Sequence, residues 1–217
     1  MEKDKKIIVI SDISFDIHDG PIGISVSGGA DSSLLLYILM KYCECDIHVF
    51  TCASKQKHRV APSIVTAVID KCIDDTNFKY SVYHHVYFVD VQTKQALFGG
   101  LATISRPLNL SVIYTAITNN PTVEITNTFK NGDNGLSGIR DPSVQKPVYH
   151  EFTENTRIYT PLANIDKVKV RKIYDELIIT DSIFPITRSC ESLSLKKGHC
   201  GDCWWCEERM WAFGRLE

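Results

Sequence analysis

One run of seven residues, Ser27-Gly28-Gly29-Ala30-Asp31-Ser32-Ser33, constrains this chain more than any other feature. It follows a short β-rich run at residues 22–26. It precedes a helical pattern at 31–42, in which Leu34, Leu35, Ile38 and Leu39 share one side. Strand, glycine turn and helix together make a backbone seat for an anion. The glycines let the chain turn sharply and approach its ligand closely. The first helical N–H groups have no internal partners and point at the anion, helped by the positive end of the helix dipole. Ser25 and Val26 lead into the seat, and Ser27, Ser32 and Ser33 add hydroxyl donors. Asp31 can cap the helix or position a magnesium ion. The run has no Gly-Lys-Ser/Thr and no G-x-G-x-x-G, so it is neither a Walker loop nor a dinucleotide fingerprint. A polar turn with a capping aspartate is the plainer alternative.

The rest of the chain reads as strands alternating with helices. Strands are expected at residues 7–10, 22–26, 46–52, 80–91 and 122–126. Helices are expected at 31–42, 61–73 with Pro62 in the first turn, 108–118 and 166–177. That alternation predicts an α/β fold, a doubly wound and mostly parallel sheet covered on both faces. The glycine-bearing stretch 131–145 reads as a long loop, either mobile or functional. Two units are expected: residues 1–180 as the nucleotide-binding domain and 181–217 as a small metal-binding segment packed on it.

The second constraint is a cysteine cluster. Cys190, Cys200, Cys203 and Cys206 place four thiols within one short stretch. Four thiolates suit tetrahedral zinc, and a closed all-cysteine set leaves no open position for water, so the site should be structural. An iron–sulfur cluster could use the same residues, a redox Cys-x-x-Cys would need only two, and His199 could replace one cysteine. The aromatic residues beside the cluster, Trp204, Trp205, Trp211 and Phe213, read as a hydrophobic cap, with stacking on a purine-like ring as the alternative. The other cysteines, Cys43, Cys45, Cys52 and Cys72, read as buried thiols acting as small hydrophobes.

Bulk properties exclude some classes. A formal net charge of −2 lacks the basic imbalance of a nucleic-acid binder. No apolar stretch reaches the roughly 18 residues of a membrane helix, and residues 7–10 are too few for the core of a signal peptide. The expected setting is the cytoplasm.

The pattern Ser-Gly-Gly-x-Asp-Ser resembles the PP-loop of the N-type ATP pyrophosphatases. With the closing run Cys200-Gly201-Asp202-Cys203-Trp204-Trp205-Cys206, with Thr160-Pro161-Leu162 and Lys167, with Gln56-Lys57-His58-Arg59 and with Arg106-Pro107-Leu108-Asn109, the chain resembles the QueC family of 7-cyano-7-deazaguanine (preQ0) synthases. The match departs at Lys55, where the family has glycine, and in the rearrangement around Pro107.

That resemblance implies an adenine-nucleotide α-hydrolase-like fold and a carbon–nitrogen ligase. The enzyme would convert 7-carboxy-7-deazaguanine and ammonia to the nitrile through an adenylated carboxylate and then an adenylated amide. ATP with magnesium would bind at residues 25–33. Asp31, Ser32 and Lys167 would be catalytic, with zinc on the four cysteines. His58, Arg106, Asn109 and Asn127 would be candidates for substrate contact. For Lys167 a solvated helix lysine is the plainer alternative. The family tends to dimerise, which implies a homodimer without placing its interface. Neighbouring readings stay open: a variant that stops at the amide, one that attaches a deazaguanine to DNA or protein, as in phage modification or antiphage defence, or a tRNA-modifying PP-loop enzyme.

Overall fold

The computed structural model describes residues 5–54, 60–90, 93–129, 138–140, 146–190 and 198–217. Two strands, β1 (Lys5–Ile10) and β2 (Ile13–His18), form a separate antiparallel hairpin. Then come β3 (Ile22–Ser25), α1 (Ala30–Tyr42), β4 (Ile47–Ser54), α2 (Ala61–Thr76) and β5 (Val82–Val89). They are followed by α3 (Lys94–Ser105), β6 (Val112–Thr115), the short α4 (Val123–Thr126), β7 (Tyr149–Thr153), β8 (Thr156–Tyr159), α5 (Lys167–Glu176) and α6 (Trp204–Phe213).

Six strands form one sheet in the order β5-β4-β3-β6-β8-β7. All neighbours are parallel except the β7–β8 pair. This is the expected doubly wound, mostly parallel α/β sheet. The order reverses at β3, whose neighbours β4 and β6 lie on opposite sides. Ligands of such sheets bind beyond the carboxyl ends of the strands at this switch point.

Alternation along the strands sorts side chains to the two faces. Ile24, Val49, Val112 and Tyr114 face the main core, which holds side chains of α1, α2, α5 and α6. Phe50, Ile113 and Ile158 face the other side, where Leu101 of α3 packs. Helix α1 is the central one, with residues 32–40 all buried. A helix apolar nearly all round belongs inside a core, and each fully buried leucine or isoleucine there contributes about 1.5–3 kcal/mol. The hairpin docks through Phe15 and Ile17, and through the Tyr114 hydroxyl, which donates to the Asp16 carbonyl at 2.7 Å.

Several expectations need correction. The strand expected at residues 7–10 exists but pairs with β2, outside the main sheet. Residues 108–118, expected as helix, hold β6 instead, preceded by a 3₁₀ turn at Arg106–Leu108. Val-Ile-Tyr-Thr is buried at every position, so it has no alternation to mark it as strand. Residues 122–126, expected as strand, form the single helical turn α4 after Pro121, where tertiary context overrides β propensity. Helix α3 and strands β2, β7 and β8 were not expected. Residues 131–137 and 141–145 of the long loop lie outside the described residues. No helix among those described is long and apolar enough to cross a membrane.

Candidate active site

The seven-residue run sits where β3 ends and α1 begins, at the switch point. Gly29 is the N-cap of α1, and the first helical bond runs from Ser33 N–H to the Gly29 carbonyl at 3.1 Å. The N–H groups of Ala30, Asp31 and Ser32 are therefore the open donors of the first turn. Hydroxyls brace the turn: the Ser27 amide donates to Ser32 Oγ at 3.2 Å, and the Gly29 amide to Ser27 Oγ at 3.3 Å.

Gly28 has φ +83°, and a Cβ there would lie 2.9 Å from Ile64 Cγ2. Only glycine meets both demands. Gly28→Ala is expected to lower stability by about 1–3 kcal/mol through the left-handed backbone alone and to abolish anion binding at the loop. Thermal melts and pyrophosphate calorimetry check this; unchanged pyrophosphate binding would show that the turn tolerates a side chain.

Ser25, Ser27, Gly29, Asp31 and Ser32 line a polar cleft of about 310 Å³. Opposite them stand Thr115 at the end of β6, Arg140, Lys167, Arg188, Ser189 and Trp205. Asp31 does not cap α1, which has no side-chain cap bond. One carboxylate oxygen, Oδ2, lies 3.2 Å from Lys167 Nζ, and the other, Oδ1, is buried without a hydrogen-bond partner among the described residues. That oxygen is a donor ready for a divalent cation, which hard carboxylate oxygens suit.

Lys167 is 3% exposed, so it is not a solvated helix lysine. Asp166 caps α5 by accepting the Lys169 amide at 3.0 Å, which sets Lys167 as the first helical residue. Behind it lies Glu208, 0% exposed, whose Oε2 is 3.3 Å from Lys167 Nζ. Arg140 grips the same carboxylate with both guanidinium ends, at 2.6 and 2.8 Å. Burial alone would raise the Glu208 pKa; Lys167 and Arg140 outweigh it and hold the carboxyl below its ordinary value. Asn120 accepts the Arg140 amide at 2.7 Å and donates to its carbonyl at 2.8 Å. Gly138 lies flat on Trp204, since a Cβ there would be 2.2 Å from the indole.

A second compartment of about 310 Å³ opens beside the first and shares Ser25, Ser27, Thr115 and Ile117 with it. Its wall is more apolar, with Val26, Cys52, Tyr87, Leu97, Phe98 and Leu101. A flat ring fits such a wall.

The cysteine cluster adjoins the cleft. The Arg188 amide donates to the Gly28 carbonyl at 2.7 Å, Ser189 lines the cleft, and Cys190 follows. The ligand atoms of Cys190, Cys200, Cys203 and Cys206 lie within 4.8 Å of one another, close enough to share a metal ion. Burial pushes the Cys200 thiol up to about 12. Trp204 packs edge-on to Phe129 and Phe213 stacks on Phe184, as a cap would, whereas Trp205 turns to the cleft. Arg209, fully buried, donates to Thr187 Oγ1 and to the carbonyls of Phe184 and Leu216, tying the segment to α6.

Other candidates fall elsewhere. Ala30 is buried, with its carbonyl accepting the Tyr174 hydroxyl at 2.8 Å, and Ser33 is fully buried in α1, so neither lines a compartment. Arg106 and Asn109 are exposed at the opposite end of β6 from the cleft, because a parallel β6 carries the residues before it to the far edge of the sheet. Asn127 is exposed at the end of α4. His58 lies outside the described residues.

Arg140 and Glu208 were missed in the sequence. Glu208 was readable: it stands between Trp204 and Ala212 at i, i+4, i+8, a charge on the buried stripe of α6. A charge in that position announces a buried partner. Arg140 carried no such sign.

No protein-family model matches the chain, and no curated protein matches it significantly. Among solved structures, it is similar to the U34-tRNA thiolase NcsA from Methanococcus maripaludis with its [4Fe-4S] cluster, at 13% identity and a TM-score of 0.42. That match covers 73% of this chain and 56% of the thiolase, so the chain spans little more than half its length. It is also similar to NMN synthetase from Francisella tularensis, at 14% identity and a TM-score of 0.46, covering 90% of this chain and 78% of that one.

Proposed function

We propose that this chain is an ATP-dependent carbon–nitrogen ligase that adenylates the carboxylate of a 7-deazapurine and passes it to ammonia, as QueC-type enzymes do. One observation carries the reading: open N–H donors at the start of α1, Lys167 and the unpartnered Asp31 Oδ1 converge on one cleft at the switch point. The loop holds the β- and γ-phosphates. The adenine occupies the apolar compartment, and the deazapurine lies against Trp205. A carboxylate oxygen of the substrate attacks the α-phosphorus, the bond to the bridging oxygen breaks, and pyrophosphate leaves. Ammonia then displaces AMP to give the amide. A second ATP adenylates the amide oxygen, and loss of AMP gives the nitrile. The chain contributes positioning and fixed charge at the loop. Asp31 would hold a magnesium ion, which neutralises phosphate charge when bound.

The four cysteines fit zinc. Four sulfurs at about 2.3 Å from one tetrahedral ion stand about 3.8 Å apart, compatible with ligand atoms all within 4.8 Å. An iron–sulfur cluster puts separate irons between its thiolates and needs them farther apart.

The test is incubation with 7-carboxy-7-deazaguanine, ATP, magnesium and ammonia, with products read by mass spectrometry. AMP, pyrophosphate and the nitrile are expected. AMP with amide and no nitrile would assign the amide-stopping variant, and no AMP would overturn the ligase reading.

A further inference from the structure

The polar cleft is built to attract anions. The start of α1 points into it, and Arg140, Lys167 and Arg188 line it. Among the described lining residues, Asp31 is the one acid. With Asp31 as the one acid, these described side chains would carry a formal net charge of two. Glu208 alters that balance from behind. It does not line the cleft, yet it pairs with both guanidinium ends of Arg140 and with Lys167. The set then holds three cations and two carboxylates, with a net charge of one.

Pyrophosphate keeps most of the charge that the loop grips in ATP. A site tuned only for grip would retain the product, and release would then limit turnover. We infer that Glu208 is a positioning residue that tempers this site: by partly neutralising Arg140 and Lys167 from behind, it lets pyrophosphate leave after transfer. The inference rests on the reading that the cleft splits ATP between its α- and β-phosphates. A purely packing role does not account for the residue. Its neighbours on the α6 stripe, Trp204 and Ala212, fill space without charge, and a buried carboxylate is costly unless its partners are the point of it. Both partners here line the cleft.

The test is Glu208→Gln, which keeps the shape and removes the charge. Full-length wild type and variant are titrated with magnesium pyrophosphate by calorimetry, and pyrophosphate formation is followed by rapid quench. A unit charge at short range in a protein shifts such an equilibrium by about tenfold or more. The variant is expected to bind pyrophosphate about tenfold tighter and to form pyrophosphate in a burst followed by a slow steady state. Glu208→Asp, which keeps the charge, is expected to restore wild-type affinity and to lose the burst. Equal or weaker pyrophosphate binding by a Gln variant with wild-type circular dichroism overturns the inference, and so does an Asp variant that behaves like Gln. If Gln alone does not fold, the double variant Glu208→Gln/Arg140→Gln removes one charge of each sign. Its pyrophosphate affinity should stay within about threefold of wild type by the same charge argument, and a tenfold gain overturns the inference. Wild type that binds no pyrophosphate overturns the reading beneath it. Wild type that binds, with no tightening in the variant, overturns this inference alone.

Discussion

Cys206→Ser is expected to strip the metal from the four-cysteine site, to lower the melting temperature by about 10 °C or more, and to abolish ATP binding. The size follows from what the cluster has without a metal. Among the described residues its buried core is Cys190, Cys203 and Cys206, with Trp205 and Leu216 packed against it. That is little apolar area to order a segment. Structural zinc in small modules is worth about 10–16 kcal/mol at neutral pH. A loss of even about 4 kcal/mol moves the midpoint of a chain this size by about 8–16 °C. The effect reaches the loop because Arg188 donates to the Gly28 carbonyl and Arg209 ties α6 to Thr187. Calorimetric melts, metal analysis by mass spectrometry and ATP titration check it together. A variant with full metal content or an unchanged midpoint would show that the cysteines do not hold the fold. Iron in place of zinc in the wild type would overturn the choice of metal and leave the expected destabilisation standing.

Much of this was legible in the chain, and the failures have physical causes. The run from β3 through α1, β4 and α2 to β5 was readable because each element is a short apolar or periodic run with a glycine, proline or polar break at its ends. β6 was not, because a strand buried on both sides looks like a piece of buried helix. That one error moved Arg106 and Asn109 to the wrong end of the sheet. The hairpin partner β2 was readable in hindsight: Ile13, Phe15 and Ile17 alternate with polar residues. Its turn hid it, since Ser11 and Asp12 adopt positive φ without the usual glycine. At the site, local pattern pointed to the loop that opens α1 and to the four cysteines that the fold gathers. It could not give Arg140 beside Glu208, a pair 68 residues apart that only the tertiary fold brings together. The two ends of the chain also read as separate devices, one for chemistry and one for architecture. In space they share a wall, because Ser189 lines the cleft immediately before Cys190 of the four-cysteine cluster.

Lys167→Met is expected to cut kcat/KM for AMP release by about 100- to 1000-fold, the usual range for removing a fixed charge that stabilises a developing anion. Lys167 stands on the buried stripe of α5 with Val170 and Tyr174, a place that its charge makes expensive unless partners wait there. Those partners are Asp31 and Glu208. Removing the lysine leaves Asp31 facing Glu208 across the vacated position, so stability should also fall, by about 3–5 kcal/mol for a broken buried pair. Stability loss alone would not identify a role in chemistry, so the magnesium dependence separates the two. With its lysine gone, Asp31 has both oxygens available to a cation. Half-activation should then come at lower magnesium than in wild type while the maximum rate stays low. Lys167→Arg should recover stability more than rate, because a guanidinium reaches both carboxylates but cannot place a point charge where the ammonium sits. Steady-state assays across a magnesium series, run below each variant's melting temperature, give both readouts. A Met variant within threefold of wild-type kcat/KM would reduce Lys167 to a structural bridge between Asp31 and Glu208.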